Sequence, residues 1–363
     1  MTLTSGTMSV SGFKALLACT KESDQEVDVH IIRQTLVDDL LELYKDPGMT
    51  SKTLNVAFEG EQGVDCLGLT RDLFTSFWRE VTKDLFTGED CVVPDLPLHR
   101  RRKEAWKFES LGRILSHTVA LTMTVPSTLA RSVLVKLASD TEVDDECLLT
   151  DLLLFVTLRE KELLTKAMSD FSSLTKEEYS RLQNFYIAHG FHTLPKGTEI
   201  LDQILEIARQ DLVTKPGSLV SKMRAGIPPS HMAAFWKRLS ADDITHILEA
   251  QRPTPEKVVN VIMSPLQDLT GDQDRTLYFL KEFVAGLDFD TLTDFLLFVT
   301  GSVHQPDKIN VTFTTLTGLD RRPISHTCFN HLEVPTSYGS IKEFKREFVS
   351  VLASPEAFKF SEQ

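Results

Sequence analysis

The chain has 363 residues, 42% of them hydrophobic and 25% charged, which is an ordinary composition for a globular protein of about two or three domains. Its formal net charge of −13 argues against a general nucleic-acid-binding protein, because such proteins usually carry a basic excess. The longest apolar runs fall far short of a membrane span, and the first residues lack the pattern of a secretory signal. We therefore expect neither nucleic acid nor a membrane among its partners.

The cysteines are few and scattered along the chain. This predicts free thiols in the reducing cytosol or nucleus rather than a disulfide framework. The five are Cys19, Cys66, Cys91, Cys147 and Cys328. The sequence has no C-x-x-C pair and no H-E-x-x-H motif, so we expect no metal site and no cofactor.

The first part of the sequence predicts a leader followed by mixed elements. Residues 1–26 are rich in Ser, Thr and Gly and predict a flexible leader. Apolar residues at helical spacing predict a helix over 27–44, and alternation of apolar with other residues predicts a strand over 54–58. The apolar side over 73–81 then indicates another helix.

The rest of the sequence predicts a long helical region, a break and a smaller mixed region. Helical patterns run from about 108 to 262, with the capping-box spacing Thr175-x-x-Glu178 at one helix start. Beyond a polar break we expect helix, strand and extended elements, ending in a helix capped by Ser340. Within this last region, residues 324–329 indicate a short strand or extended segment.

This order of elements predicts an α+β protein of two lobes. The mainly helical N-lobe spans 27–263, and the small α/β C-lobe spans 275–363. The polar stretch 264–274 between them contains proline and glycine and predicts a hinge.

One segment of the predicted C-lobe carries residues that can do chemistry. If 324–329 is extended, residues two apart share a face, so His326 and Cys328 lie near each other. A thiolate is a strong nucleophile, and a neighbouring imidazole or the cations Arg321 and Arg322 would favour its formation.

Polar neighbours extend this candidate site. Thr327 and Asn330 offer groups that can steady a developing oxyanion. From these residues alone, Cys328 is a candidate nucleophile, while a small buried structural cysteine is the commoner alternative.

The surroundings of Cys328 form a longer signature. The run His326–Asn330 (His-Thr-Cys-Phe-Asn), followed by Leu-Glu-Val-Pro at 332–335, resembles the active-site signature of the HECT family of ubiquitin ligases. Upstream, Phe298–Gly301 (Phe-Val-Thr-Gly) looks like a second family segment. Phe360 is fourth from the C-terminus, where the family carries a phenylalanine needed for transfer.

Motifs in the predicted N-lobe continue the match. The strand and glycine-rich turn at 56–65, the Gly-Leu-x-Arg run at 68–71 and Leu-Gly-Arg-Ile-Leu at 111–115 are similar to family segments in the same order. The resemblance spans about residues 27 to 363, and separated motifs in order make it specific.

The resemblance implies a ligase whose N-lobe recruits a ubiquitin-conjugating enzyme and whose C-lobe swings about the hinge. Cys328 would accept ubiquitin as a thioester and release it to a lysine of a substrate protein. His326, Thr327 and Asn330 would shape the site, and Phe360 would help to place the acceptor.

The sequence also departs from the family pattern. Residues 149–223, where we expect the conjugating enzyme to bind, lack the family's Thr-Phe strand and Pro-Asn-Gly turn. His331 stands where the family usually has arginine, which changes the local electrostatics. One alternative is therefore a HECT-like module that binds ubiquitin or a partner but transfers poorly. A cysteine hydrolase is the other, although no separately placed histidine and acid are recognisable.

Overall fold

The computed structural model describes residues 25–61, 68–139, 141–229, 231–318 and 321–354. Within these ranges the chain is mainly helical and carries three small separate sheets, which confirms the α+β class. The predicted leader lies outside the described residues except for Gln25 and Glu26, and Phe360 also lies outside them. None of the described helices is both long and apolar enough to cross a membrane.

The described chain begins with two parallel strands, β1 (Glu26–Ile31) and β2 (Thr53–Phe58). Helix α1 (Leu36–Leu43) lies between them in sequence, and α2 (Gly68–Leu85) packs on β2. The helix predicted over 27–44 is therefore wrong in its first part. There the apolar residues alternate along the chain, and pairing with β2 in register makes that segment a strand.

Helices dominate the region that follows, together with the short antiparallel strands β3 (Phe86–Thr87) and β4 (Val93–Pro94). The helices are α3 (Leu98–Glu104), α4 (Lys107–Thr122), α5 (Arg131–Ala138), α6 (Asp145–Phe155), α7 (Leu158–Ser169), α8 (Lys176–Ala188), α9 (Ile200–Arg209), α10 (Gly217–Gly226), α11 (His231–Arg238) and α12 (Ala241–Gln251). The predicted capping box at Thr175 and Glu178 is present at the start of α8. Residues 149–223 contain no strand.

The elements from β1 to α12, apart from α3, share one hydrophobic core, here called the N-terminal core. In α2, Leu73, Phe77 and Val81 recur every four residues and are fully buried on one side of the helix. Helices α4 and α10 approach so closely that a Cβ added at Gly112 would lie 1.8 Å from the carbonyl oxygen of Met223. Glycine in the Leu-Gly-Arg motif is thus required by backbone packing.

A second hydrophobic core, here called the C-terminal core, is built from later elements. They are α13 (Pro255–Val261), β5 (Ile262–Met263), α14 (Gly271–Ala285), α15 (Phe289–Thr300), β6 (Ile309–Thr314), β8 (His331–Pro335) and α16 (Ile341–Leu352), and β7 (Ile324–His326) pairs with β8 outside this core. The strands form one sheet in the order β5-β6-β8-β7, parallel except for the antiparallel pair of β7 and β8. Phe283, Phe344 and Phe348 pack their rings together beneath it.

The C-terminal core begins before the predicted hinge. Val258 and Ile262, on α13 and β5, are buried in it. Residues 264–270 connect β5 to α14, and the Thr270 side chain caps that helix. Movement of the C-terminal core about this connection stays a prediction.

Candidate active site

Cys328 lies in a tight turn between β7 and β8. Strand β7 ends at His326, a single 3-10 turn covers Thr327–Phe329, and β8 begins at His331. Asn330 joins the turn to β8 with a positive φ of 48°, a conformation that asparagine adopts more readily than most residues. The extended conformation expected through residue 329 is therefore wrong beyond His326, because the chain reverses there to pair β7 with β8.

Cys328 differs from the other described cysteines in its exposure. Its side chain is half-buried, whereas Cys91 and Cys147 are buried in the N-terminal core. Burial raises the pKa of the Cys91 thiol, and it raises the pKa of the Cys147 thiol to about 12. Those two thiols therefore stay protonated at neutral pH. Next to Cys328, the ring of Phe329 is 70% exposed.

Arg71, on the first turn of α2, connects the N-terminal core to the Cys328 turn by hydrogen bonds. Its Nη1 donates to Oδ1 of Asn330 at 2.8 Å. Its Nη2 donates to the carbonyl oxygens of Thr327, at 2.8 Å, and Cys328, at 3.2 Å. The planar guanidinium thus spans the turn with several bonds at once, which a lysine ammonium cannot reproduce.

Two glycines allow this close approach. A Cβ added at Gly68, the first residue of α2, would lie 2.6 Å from Oγ1 of Thr327 and 2.8 Å from Sγ of Cys328. Gly301 ends α15 with a φ of 69°, and a Cβ there would lie 2.9 Å from the carbonyl oxygen of Gly68. The Gly-Leu-x-Arg run and the Phe-Val-Thr-Gly segment, far apart in sequence, therefore meet at the Cys328 turn.

The histidine before Cys328 belongs to a polar cluster on β7 and β8. Nε2 of His326 lies 3.1 Å from Oε1 of Glu333, and its ring stacks on His331 with 5.2 Å between centroids. Nε2 of His331 lies 2.7 Å from Oγ1 of Thr312. Burial, together with the nearby His326, lowers the pKa of His331, although Glu333 opposes the shift. No hydrogen bond between the described side chains joins the Cys328 thiol to the His326 imidazole.

The two arginines upstream do not contact the thiol. The Arg321 guanidinium binds Glu343 and Glu347 on α16, and lies 4.8 Å from the centroid of the Tyr338 ring. Hydrogen bonding to Glu343 raises the pKa of Arg321. The Arg322 side chain is exposed. The expectation that Arg321 favours a thiolate at Cys328 is therefore wrong, because its charge is paired with α16.

These motifs and their convergence on one turn point to a known family. A family model described as the HECT domain (ubiquitin-transferase) matches residues 72–361. The chain belongs to the HECT family. The match covers most of the chain, including the Cys328 turn, and no curated protein sequence matches it. At the level of the family, a HECT domain works with a ubiquitin-conjugating enzyme and ubiquitin.

The structure brings together most of the residues that the sequence nominated. Thr327, Cys328 and Asn330 share one turn, and His326 directly precedes it. Phe360 lies outside the described residues. Sequence reasoning quoted Arg71 only as part of a motif and did not place it at the turn. The Gly-Leu-x-Arg motif and the Cys328 signature belong to the same family pattern. That shared membership was the one sign in the sequence that Arg71 belongs to the site.

Proposed function

We propose that this HECT protein accepts ubiquitin from a conjugating enzyme as a thioester on Cys328 and transfers it to a lysine of a substrate protein. The observation that carries the proposal is the half-buried Cys328 turn, held by Arg71 beside an exposed Phe329. A nucleophile must be reachable, and the other described thiols are sealed in a core.

In the first step, the Cys328 thiolate attacks the carbonyl carbon of the ubiquitin thioester on the conjugating enzyme. A new carbon–sulfur bond to Cys328 forms, the carbon–sulfur bond to the conjugating enzyme breaks, and the conjugating enzyme's thiolate leaves. Since one thioester replaces another, the rate depends on positioning and on stabilising the oxyanion. In the second step, a lysine amine attacks the new thioester, loses a proton and forms an amide as the Cys328 thiolate leaves.

The side chains of the turn suit these steps. The Asn330 amide carries a donor NH₂ of the kind that an oxyanion needs, and in the docked turn its oxygen accepts from Arg71. We assign His326 to proton transfer with the lysine amine, with its imidazole oriented by Glu333. Thr327 is buried and serves to shape the turn. The role of Phe360 in placing the acceptor rests on the family resemblance.

For the conjugating enzyme, we propose a docking surface on the helical segment 149–223. In this segment Leu158, Ile187 and Leu194 are 70%, 57% and 62% exposed. Contiguous apolar patches mark protein interaction sites, and the proposal requires that these three side chains contribute to one patch. This surface of helices and a loop would take the place of the Thr-Phe strand and Pro-Asn-Gly turn of the family pattern.

The decisive experiment incubates the protein with a ubiquitin-charged conjugating enzyme and resolves the products on a non-reducing gel. We expect a ubiquitin adduct that disappears with reductant and is absent in Cys328→Ala. Cys147→Ala is the matched control, because it removes a thiol that burial keeps protonated, and it should still form the adduct. Absence of an adduct across a panel of conjugating enzymes would instead favour the HECT-like binding module.

One observation bears on the hydrolase alternative, namely the pairing of His326 with Glu333. A cysteine hydrolase uses an imidazole oriented by a polar partner, but that imidazole must also form a hydrogen bond with the catalytic thiol. A ubiquitin probe with a C-terminal ester separates the two activities. We expect no catalytic release from this probe, whereas a hydrolase would release ubiquitin over many turnovers.

A further inference from the structure

Strands β7 and β8 place three metal-ligating side chains on one face. His326 pairs directly with His331 across the strands, and Glu333 lies two residues further along β8, on the same side of the sheet. One ligand atom from each of the three lies within 4.8 Å of the other two. Two imidazoles and a carboxylate are a donor set that suits Zn²⁺.

The distances are close to those of a bound ion. In a tetrahedral zinc site with metal–ligand bonds near 2.0–2.1 Å, neighbouring ligand atoms are about 3.3 Å apart. Nε2 of His326 and Oε1 of Glu333 already stand at 3.1 Å. The remaining separations must close by at most about 1.5 Å, which side-chain torsions can supply. The side chains of His326 and Glu333 are 35% and 30% exposed, so an ion can reach them.

A neighbouring strand supports the cluster. On β6, Oγ1 of Thr312 lies 2.7 Å from Nε2 of His331 and fixes the orientation of that ring. Histidine ligands typically use their second nitrogen for such a contact, which sets the ring tautomer. The register places Thr312 directly opposite Glu333 in the sheet, so all of these groups sit on a packed framework.

We propose that one Zn²⁺ ion binds to His326, His331 and Glu333 and that the bound ion slows the acceptance of ubiquitin by Cys328. The second half rests on the proposed function. Zinc would join β7 to β8 at the two ends of the Cys328 turn and occupy the His326 imidazole. The ion therefore restrains the turn at both of its ends and hinders the positioning on which thioester exchange depends. The three ligands are spaced as His-x4-His-x-Glu across two strands, a spacing that matches neither the C-x-x-C nor the H-E-x-x-H motif.

Binding is tested without ubiquitin, by calorimetric titration of ZnCl₂ into the full chain in a phosphine reductant. We expect one ion per chain and at least about tenfold weaker binding in His331→Gln and in Glu333→Gln, each of which removes a ligand. His246→Gln, an exposed histidine on α12, is the matched control and should bind like the unmodified protein. Cys328→Ala should also bind normally.

Three results would overturn the site. The first is the absence of zinc binding in the unmodified protein. The second is binding in His331→Gln and Glu333→Gln as tight as in the unmodified protein. The third is binding that is lost in Cys328→Ala but kept in His331→Gln. The last result would mean that zinc binds the thiol instead.

The effect on transfer is tested with the charged conjugating enzyme, with and without zinc. We expect zinc to slow adduct formation severalfold in the unmodified protein and to leave His331→Gln unaffected. Any action of zinc on the conjugating enzyme is common to both proteins, so equal slowing would overturn the regulatory half. Failure of the proposed function itself looks different, because neither protein would then form an adduct even without zinc.

Discussion

The contact between Gly68 and the Cys328 turn can be opened by a single methyl group. In Gly68→Ala the new Cβ would lie 2.6 Å from Oγ1 of Thr327 and 2.8 Å from Sγ of Cys328. Comfortable contacts between such atoms are about 3.5–4.0 Å, so the turn must withdraw by roughly 1 Å. Gly68 is not in a left-handed conformation, and alanine suits a helix at least as well as glycine, so α2 itself should remain intact.

Withdrawal of the turn also weakens its bonds to Arg71. Two of these bonds are 2.8 Å long, and an added 1 Å or so takes them beyond hydrogen-bonding range. A hydrogen bond to a charged group contributes about 1.5–3 kcal/mol. Since the site is partly exposed, we take a total loss of about 2 kcal/mol, which shifts the docked-to-undocked ratio roughly 30-fold.

The assay is the alkylation rate of Cys328 in the folded protein, followed by mass spectrometry of the peptide that contains it. We expect alkylation to be faster in Gly68→Ala by an order of magnitude or more. Gly217→Ala is the matched control, because Gly217 also begins a helix, α10, and a Cβ there meets nothing within 4 Å. An alkylation rate equal to that of the unmodified protein would refute the reasoning.

Three further predictions follow from the described surfaces and core. Leu194→Asp and Ile187→Asp should each slow adduct formation at low concentrations of the charged conjugating enzyme. Leu98→Asp, which changes an 80% exposed leucine outside the proposed docking segment, should not slow it. Equal rates in all three variants would contradict the docking surface. Phe329→Ala should slow adduct formation with little change in the free energy of unfolding, because the ring is largely in water; a large loss of stability in urea would show a core role instead. Burial lowers the pKa of His117 to about 4. Between pH 6.5 and 4 the unfolded chain therefore binds a proton at this residue that the native state does not bind. The free energy of unfolding consequently falls as the pH falls through this window. At pH 5 the free energy of unfolding is lower than at pH 7 by about 2 kcal/mol for this reason. Urea unfolding of His117→Gln at the two pH values should show a difference that is smaller by this amount.

Local chemistry made much of the fold predictable. The predicted capping box at Thr175 and the predicted Ser340 cap on α16 both lie at helix starts, because each side chain satisfies a backbone N–H group three residues later. Strand β1 was missed for the opposite reason. Its alternation of Val27, Val29 and Ile31 is short and runs directly into helical spacing, and its partner β2, which decides its conformation, follows more than twenty residues later.

The site shows the same division. The signature around Cys328 was readable because its residues are adjacent in the chain. Arg71, by contrast, reaches Asn330 across 259 positions, and its role became visible only when the chain was folded. The pairing of His326 with Glu333 follows from strand register, which one turn at Thr327–Phe329 sets.

The docked turn raises the question of whether Cys328 reacts where it lies. On one side its sulfur faces the start of α2 at Gly68, and on the other side Phe329 is open to solvent. A conjugating enzyme that carries ubiquitin must bring a thioester carbonyl within bonding distance of that sulfur, and the backbone of α2 occupies part of the approach. We therefore expect the docked arrangement to be a resting state, so that Gly68→Ala accelerates ubiquitin acceptance as well as alkylation. If alkylation rises while acceptance falls, the bonds from Arg71 hold the turn in its reactive geometry instead, and the docked arrangement is the one that transfers.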